Sequence, residues 1–467
     1  MIRRMLVFGA TGDLFGRYLA PALAGLIEAG QLPDGFAVTG AARKDLDPAA
    51  FRDSVAEDLA RYAPEVSEEA RTKFVEGLDY APTDVTDDGD VARAARTLGE
   101  EPILAYLALP PGLFPDTVRS LAGAGLAEGS RLVLEKPFGQ DLQSARELNA
   151  LLHESFPESA VFRADHFLGE QTVQNVLGLR FANRVFEPVW NREHVERVEI
   201  VWDETLALEG RAGYYDSAGA LKDMVQSHLL QLLALVAMEP PATLGEQDFR
   251  DRKVEVFRNV KAPAGPEAEK KTVRARYTAG EVEGSEVPAY VEEEGVEPER
   301  STETFAEVTL EVENQRWSGV PFTLRSGKAL GRDRREISVH FRPAERLAFG
   351  RNTEDPEPNI LRLGMDPDTM SLDINVNGPG DLFTLERVGL DAELAPQRPS
   401  EYGRLLLAAL GGGSMLSIRG DEAEECWRIV EPVLRAWRED AVPLLEYPAG
   451  SDGPAGKDPQ QKRGDRT

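Results

Sequence analysis

The apolar run Met5-Leu6-Val7-Phe8 passes directly into Gly9-Ala10-Thr11-Gly12-Asp13-Leu14-Phe15-Gly16, which sets three glycines ahead of a helix expected to begin near Arg17. Glycine lets a backbone approach a pyrophosphate, whose charge is met by the amide groups and dipole at a helix N-terminus. A glycine trio also fits a plain turn, and its place at the first strand-to-helix junction is what favours the phosphate role. The next such junction follows Phe36-Ala37-Val38-Thr39-Gly40-Ala41-Ala42 and carries Arg43 and Lys44. An NAD enzyme often has an acid there for the ribose hydroxyl, so cations favour the 2'-phosphate of NADP. Two solvated charges beside Asp45 and Asp47 would give the same pattern. His228 has the side chain best suited to proton transfer near neutrality. It also opens the apolar run from His228 to Met238, and taken alone it reads as a packed helix histidine. Asp165, taken alone, reads as an N-cap for the segment that begins at His166.

These residues need elements to carry them. From Ile2 to about Arg146, short apolar runs (Met5 to Ala10, Phe36 to Ala42, Ile103 to Leu109, Arg131 to Pro137) alternate with helical stretches, which predicts a doubly wound parallel sheet. Unbroken helical spacing predicts one long helix over Leu168 to Phe186. Beyond Val195 the segments starting at Val195, Thr304, Glu336 and Met370 alternate apolar and polar positions, as a mostly antiparallel sheet does. Helical periodicity returns over Leu221 to Met238 and Glu422 to Trp437. The expected organisation is a Rossmann-like α/β domain over residues 1–175, a larger α+β domain over 176–450 and a flexible tail over 451–467. Low apolar content from Ala449 onward predicts that this end is loosely held.

Composition narrows the function. A chain of 467 residues with 42% hydrophobic content holds two cores, and its lone Cys426 forms no intrachain disulfide. No zinc-type cluster stands out, so no metal is expected, and a cytoplasmic enzyme fits. The formal charge of −28 repels nucleic-acid backbones and anionic lipid, and it fits a well-solvated surface or a salty habitat. The longest apolar run, Leu229 to Met238, is about half of the roughly 20 residues that a membrane span needs.

Motifs along the chain make the reading specific. Gly9 to Leu14 with Arg17, Tyr106 to Pro111, Glu135 to Gly139, Arg163 to Gly169, Glu209 to Tyr214, Lys222 to Gln231, Gly319 to Phe322 and Arg325 to Leu330 resemble, in the same order, the motifs of the glucose-6-phosphate dehydrogenase family. The resemblance implies an NADP-dependent dehydrogenase that takes hydride from C1 of a hexose, the entry step of the pentose phosphate pathway. It implies a sheet-bearing second domain that pairs subunits, as a homodimer or homotetramer. It also implies residue roles: Gly9, Thr11, Gly12, Asp13, Leu14, Arg43, Lys44 and Pro110 at the cofactor, and Lys136 between nicotinamide and sugar. His228 becomes the base for the C1 hydroxyl, and Asp165 becomes the carboxylate that orients its ring. His166, Glu170, Glu204, Asp223 and Lys328 become substrate contacts.

Four positions depart from that family pattern. Its tyrosine and lysine in the HYLGK stretch are Phe167 and Glu170, a later cation is Asp333, and a glutamine is Asp366. At an effective dielectric near 20, unit charges about 4 Å apart interact by roughly 4 kcal/mol, so exchanging cation for anion disfavours a phosphate dianion. A guanidinium from Arg332, Arg334 or Arg335 would restore the phosphate site. Otherwise a non-phosphorylated hexose or an aminosugar fits better, and a catalytically silent NADP-binding protein is the contrasting class.

Overall fold

Short, mostly apolar runs bounded by glycine and proline form the first sheet. Its strands are β1 (Arg4–Phe8), β2 (Ala37–Ala42), β3 (Leu78–Pro82), β4 (Ile103–Leu107), β5 (Arg131–Glu135) and β6 (Val161–Ala164). The computed structural model describes residues 1–208, 212–243, 245–344, 356–379, 385–395 and 398–455. The six strands are parallel in the order β6-β5-β4-β1-β2-β3, and Ser417–Ile418 adds antiparallel to β6. β4 is buried at every residue, as a strand covered on both faces must be. Apolar periodicity predicts β1, β2, β4 and β5 but not β3, an edge strand, or β6, which has four residues and a buried arginine. Phe15, Leu19, Leu23 and Leu26 share a core with Phe51, Val55, Leu59, Leu405, Leu406 and Leu410. Burying each of these large apolar side chains favours folding by about 1.5–3 kcal/mol.

The chain forms two units, and neither is one continuous stretch. The first comprises Met1–Gln174, Pro241–Arg252 and residues 398–425, and the second comprises Asn175–Pro240 with residues 253–395 and 426–455. Contiguous domain bounds do not anticipate the two segments that return to the first unit. They are fixed there by polar contacts: Arg250 Nη1 donates to Ser414 Oγ at 2.6 Å, and Arg131 Nη1 to the carbonyls of Ala409 and Leu410 at 2.7 and 2.8 Å.

The second unit is built on a ten-stranded, mostly antiparallel sheet. Its centre departs from the antiparallel rule in a way that matters for the site. β7 (Val195–Asp203) pairs antiparallel with Arg334–Phe341 on one side but parallel with Pro321–Gly327 on the other, Asp203 lying opposite Gly327. Leu444–Pro448 likewise pairs parallel with Thr272–Thr278. Among the described residues, no helix is long and apolar enough to cross a membrane.

Two helical expectations and the one for the chain end are corrected. Over Leu168 to Phe186 the chain makes a 3-10 turn at His166–Gly169, an α-helix at Gln171–Phe181 and another 3-10 turn at Glu187–Val189. The first break falls at Glu170, which is extended, beside Gly169, where a Cβ would lie 2.7 Å from the Glu401 carbonyl oxygen. Leu221 to Met238 is a π-helix over Leu221–Leu229 followed by an α-helix over Leu230–Ala237. All eight residues of that α-helix are buried, so its last carbonyls need partners. Arg180 donates to Leu235 and Met238, Trp190 to Val236 and Trp317 to Ala237, at 2.8–2.9 Å. The chain end is not loose from Ala449. That residue is 5% exposed, and Ser451 and Asp452 accept hydrogen bonds from Gly331 and Arg325. Residues 456–467 of the expected tail, and 209–211 of the Glu209 to Tyr214 motif, lie outside the described residues.

Glu135, the last residue of β5, accepts a short hydrogen bond from the hydroxyl of the fully buried Tyr106 on β4. Burial raises its carboxyl to about 7, opposed by the Tyr106 bond and the charge of Lys136 and reinforced by Asp165. The folded state therefore keeps a proton that the unfolded chain sheds, and stability falls as pH rises from about 4.5 to about 7. Glu135→Gln keeps an acceptor for Tyr106 and removes this penalty. The melting-temperature gain of the variant over the parent should be larger at pH 8 than at pH 5; equal differences at both pH values would refute the assignment.

Candidate active site

The glycine turn leaves β1 between β2 and β4, where the strand order reverses, the position at which doubly wound sheets bind nucleotides. Gly9 has φ +80°, and a Cβ there would lie 2.1 Å from the Ala108 carbonyl oxygen at the end of β4. Glycine is therefore demanded by both conformation and space. Thr11, Gly12 and Asp13 are exposed, and the amides of Phe15 and Gly16 turn back to the Gly12 carbonyl as the helix begins. Arg43 and Lys44 are exposed beyond the end of β2. The Tyr80 hydroxyl donates to the carbonyls of Ala42 and Lys44 at 3.1 and 2.6 Å, which fixes the path of the chain carrying both cations. Arg43 has an acidic neighbour in Asp84, whose carboxyl is held below its ordinary range by bonds from Thr86 and, more weakly, by Arg43. Pro110 is exposed where a 3-10 turn opens after β4. A glycine cradle that a Cβ would fill, a helix start and two cations at the adjacent strand end fit a nicotinamide dinucleotide.

Neighbouring strand ends carry the rest of the first unit's candidates. Lys136 follows β5 and Asp165 follows β6. Asp165 is fully buried, and its Oδ1 accepts the Phe167 amide at 3.0 Å. The N-cap expected of it is therefore real. The His166 ring stacks on Tyr402, with centroids 5.3 Å apart and planes 14° apart, and Tyr402 in turn packs against Tyr18 at 5.4 Å. Phe167 is buried, whereas Glu170 is half-buried just after the 3-10 turn. Tyr402 carries no sequence signal, because its partner lies far away along the chain.

In the second unit, the parallel pairing of β7 with Pro321–Gly327 brings the residues that follow both strands together. The Glu204 carboxylate is 2.7 Å from Lys328 Nζ, with 18% and 15% of the two side chains exposed. The Lys328 ammonium also lies 5.5 Å from the centroid of the buried Tyr215 ring. Asp223 and His228 are one i→i+5 turn apart on the π-helix, a geometry that a regular α-helix does not offer. His228 is 1% exposed and Asp223 is half-buried. That helix starts where Gly219, at φ +72°, breaks the preceding one, and Glu303 accepts the Leu221 amide at 3.0 Å. Burial raises the Glu303 carboxyl to about 7, against the bond from Leu221 and the charges of Lys222 and Arg274.

The departures at Asp333 and Asp366 share one partner. Arg335 binds Asp333 at 3.1 Å and makes a short pair with Asp366, while its guanidinium lies 5.1 Å from the centroid of the Trp202 ring. Asp333 also accepts the Thr205 amide at 2.6 Å. Arg334 turns instead to Glu336 and Glu199. Arg332 is exposed and, with Asp333, Arg335 and Asp366, lines a groove of about 830 Å³ on the sheet of this unit.

Comparison with known proteins accounts for both units. Residues 6–175 match the model of the NAD binding domain of glucose-6-phosphate dehydrogenase, and residues 177–467 match its C-terminal domain. The chain is 41% identical to glucose-6-phosphate 1-dehydrogenase of Treponema pallidum, over 97% of this chain and 92% of that one. It is also 41% identical to the Gluconobacter oxydans enzyme of that name, over 96% and 94%. Among solved structures, a glucose-6-phosphate dehydrogenase in complex with its substrate glucose-6-phosphate matches with a TM-score of 0.88, at 32% identity over 97% of this chain and 95% of that one. The Mycobacterium avium glucose-6-phosphate 1-dehydrogenase matches with a TM-score of 0.85, at 36% identity over 97% and 94%. A parallel sheet with its glycine turn, a second sheet that pairs Glu204 with Lys328, and likeness along nearly the whole chain agree: this protein belongs to the glucose-6-phosphate dehydrogenase family.

Proposed function

We propose that this chain oxidises C1 of glucose 6-phosphate to the lactone with NADP as acceptor. The observation that carries the substrate is the likeness, over 97% of the chain, to an enzyme solved with glucose-6-phosphate. The exposed Arg43 and Lys44, at a strand end with no acid in the ribose position, support NADP over NAD. Bound there, the nicotinamide would supply the hydride acceptor. The turn from Gly9 to Leu14 would hold its pyrophosphate, and Pro110 and Lys136 would shape the nicotinamide end.

In this reading His228 takes the proton from the C1 hydroxyl as the C1–H bond breaks and C1=O forms. A histidine almost sealed from water is a strong base only if its imidazolium is compensated, and that charge is the work of Asp165. Lys136 faces both reactants. Glu204 and Asp223 accept hydrogen bonds from sugar hydroxyls, Lys328 donates to the substrate, and His166 with Glu170 borders the far end of the sugar.

The phosphate meets less repulsion than the bare sequence implies. Asp333 and Asp366 are already paired to Arg335, and Arg332 borders the same groove. Self-association through the second sheet is part of this reading, supported by Leu390, which is 53% exposed in the edge strand Leu385–Glu393. So is a cytoplasmic setting.

The test is the ratio of kcat/KM for glucose 6-phosphate to that for glucose and for glucosamine, followed as NADPH absorbance. Glucose 6-phosphate should be preferred by at least about tenfold, the worth of one additional charge-assisted hydrogen bond; a ratio below one would give the site to a non-phosphorylated sugar or an aminosugar. His228→Asn should lower kcat by about 10²–10⁴-fold with NADP affinity nearly intact, because the base acts only in the chemical step. Unchanged turnover would remove His228 from its role, and tight NADP binding without turnover in the parent protein would indicate a silent homologue.

A further inference from the structure

Lys328 begins a turn enclosed by hydrogen bonds from three separate parts of the second unit. Its amide donates to the Thr304 carbonyl at 3.0 Å, and the amides of Ala329 and Leu330 donate to Leu206 and Glu204, each at 3.0 Å. The chain end supplies the remainder. Gly331 donates to the Ser451 carbonyl at 2.9 Å, and the Gly450 amide donates back to Ala329 at 2.8 Å. The Tyr447 hydroxyl donates to the carbonyl of Lys328 itself at 2.7 Å and lies 2.9 Å from Thr304 Oγ1.

Two features show that this enclosure holds the turn in a conformation it would not choose alone. Ala329 has φ +51°, a left-handed conformation that a residue with a Cβ keeps only when its surroundings impose it. At Gly331 a Cβ would lie 2.5 Å from the Gly450 carbonyl oxygen, so chain end and turn touch backbone to backbone. Tyr447 is 1% exposed and set edge-on against Tyr277 and Phe305, so its hydroxyl is aimed rather than mobile. At the other end of the lysine, the ammonium is fixed by Glu204 and the face of Tyr215. Both ends of one long, flexible side chain are thus restrained. A structural lysine has no need of that, and a ligand-binding cation gains preorganisation from it.

We propose that Tyr447–Asp452 is a strap that positions Lys328 for the substrate, with Tyr447 as its positioning residue. The inference rests on the reading of Lys328 as a substrate cation, and the test separates the two. Tyr447→Phe removes the hydroxyl and keeps the ring. It should raise KM for glucose 6-phosphate about fivefold, the effect of one hydrogen bond, with kcat and NADP affinity little changed. In a Lys328→Ala background the same substitution should add nothing, because its effect passes through the lysine. Gly331→Ala, which pushes the Gly450 carbonyl away, should raise KM in the same direction and covers the case in which Tyr447→Phe folds poorly. An unchanged KM in both strap variants, or an effect that persists without Lys328, would overturn the strap while leaving the lysine's role intact. If Lys328→Ala itself leaves KM unchanged, the lysine's role fails and the strap's purpose with it.

Discussion

Two neighbouring strands that run in the same direction end in opposite charges, and this pairing organises the second unit. In a sheet otherwise dominated by antiparallel neighbours, β7 and Pro321–Gly327 are parallel, so Glu204 and Lys328 emerge at the same end and meet at 2.7 Å. Breaking a mostly buried pair by removing one partner leaves an uncompensated charge, at a cost of about 3–5 kcal/mol when burial is complete. The pair therefore stabilises the site only while both members are held, which explains how much of the surrounding backbone is bonded to the turn after Lys328.

The same constraint operates in the first unit with different means. Tyr106, Glu135, Lys136 and Asp165 sit at or just beyond the ends of β4, β5 and β6, the edge at which a parallel sheet presents its chemistry. Two carboxyls in that space do not both ionise easily. Glu135 is the one lifted to about 7, with Asp165 among the causes. One acid at this edge of the sheet thus holds a proton near neutrality.

Much of this was legible in the residues, and the gaps have physical reasons. The strands and the glycine turn follow from periodicity and position, and Gly9 has a positive φ with the Ala108 carbonyl behind it. Asp165 and His228 each fitted a bland role as well as a chemical one, and the bland roles are also fulfilled: Asp165 caps a turn, and His228 lies sealed at the start of an apolar run. Local pattern cannot separate a packed residue from a packed residue that also reacts. The π-helix that spaces Asp223 and His228 keeps the same apolar faces as an α-helix over so short a run, so nothing in periodicity betrays it. Arg335, Tyr402 and Tyr447 depend on partners distant in sequence. The order of the chain end escapes composition, which weighs apolar burial, because residues 449–452 are held mainly by backbone hydrogen bonds.

The central claim is a direct transfer of hydrogen from C1 of the sugar to the cofactor, with the hydroxyl proton leaving separately. Turnover of glucose 6-phosphate carrying deuterium at C1, followed by NMR of the nicotinamide product, tests it most directly. The label should appear at C4 of the nicotinamide ring, with none lost to solvent. Deuterium retained on the sugar or released to water would contradict the account.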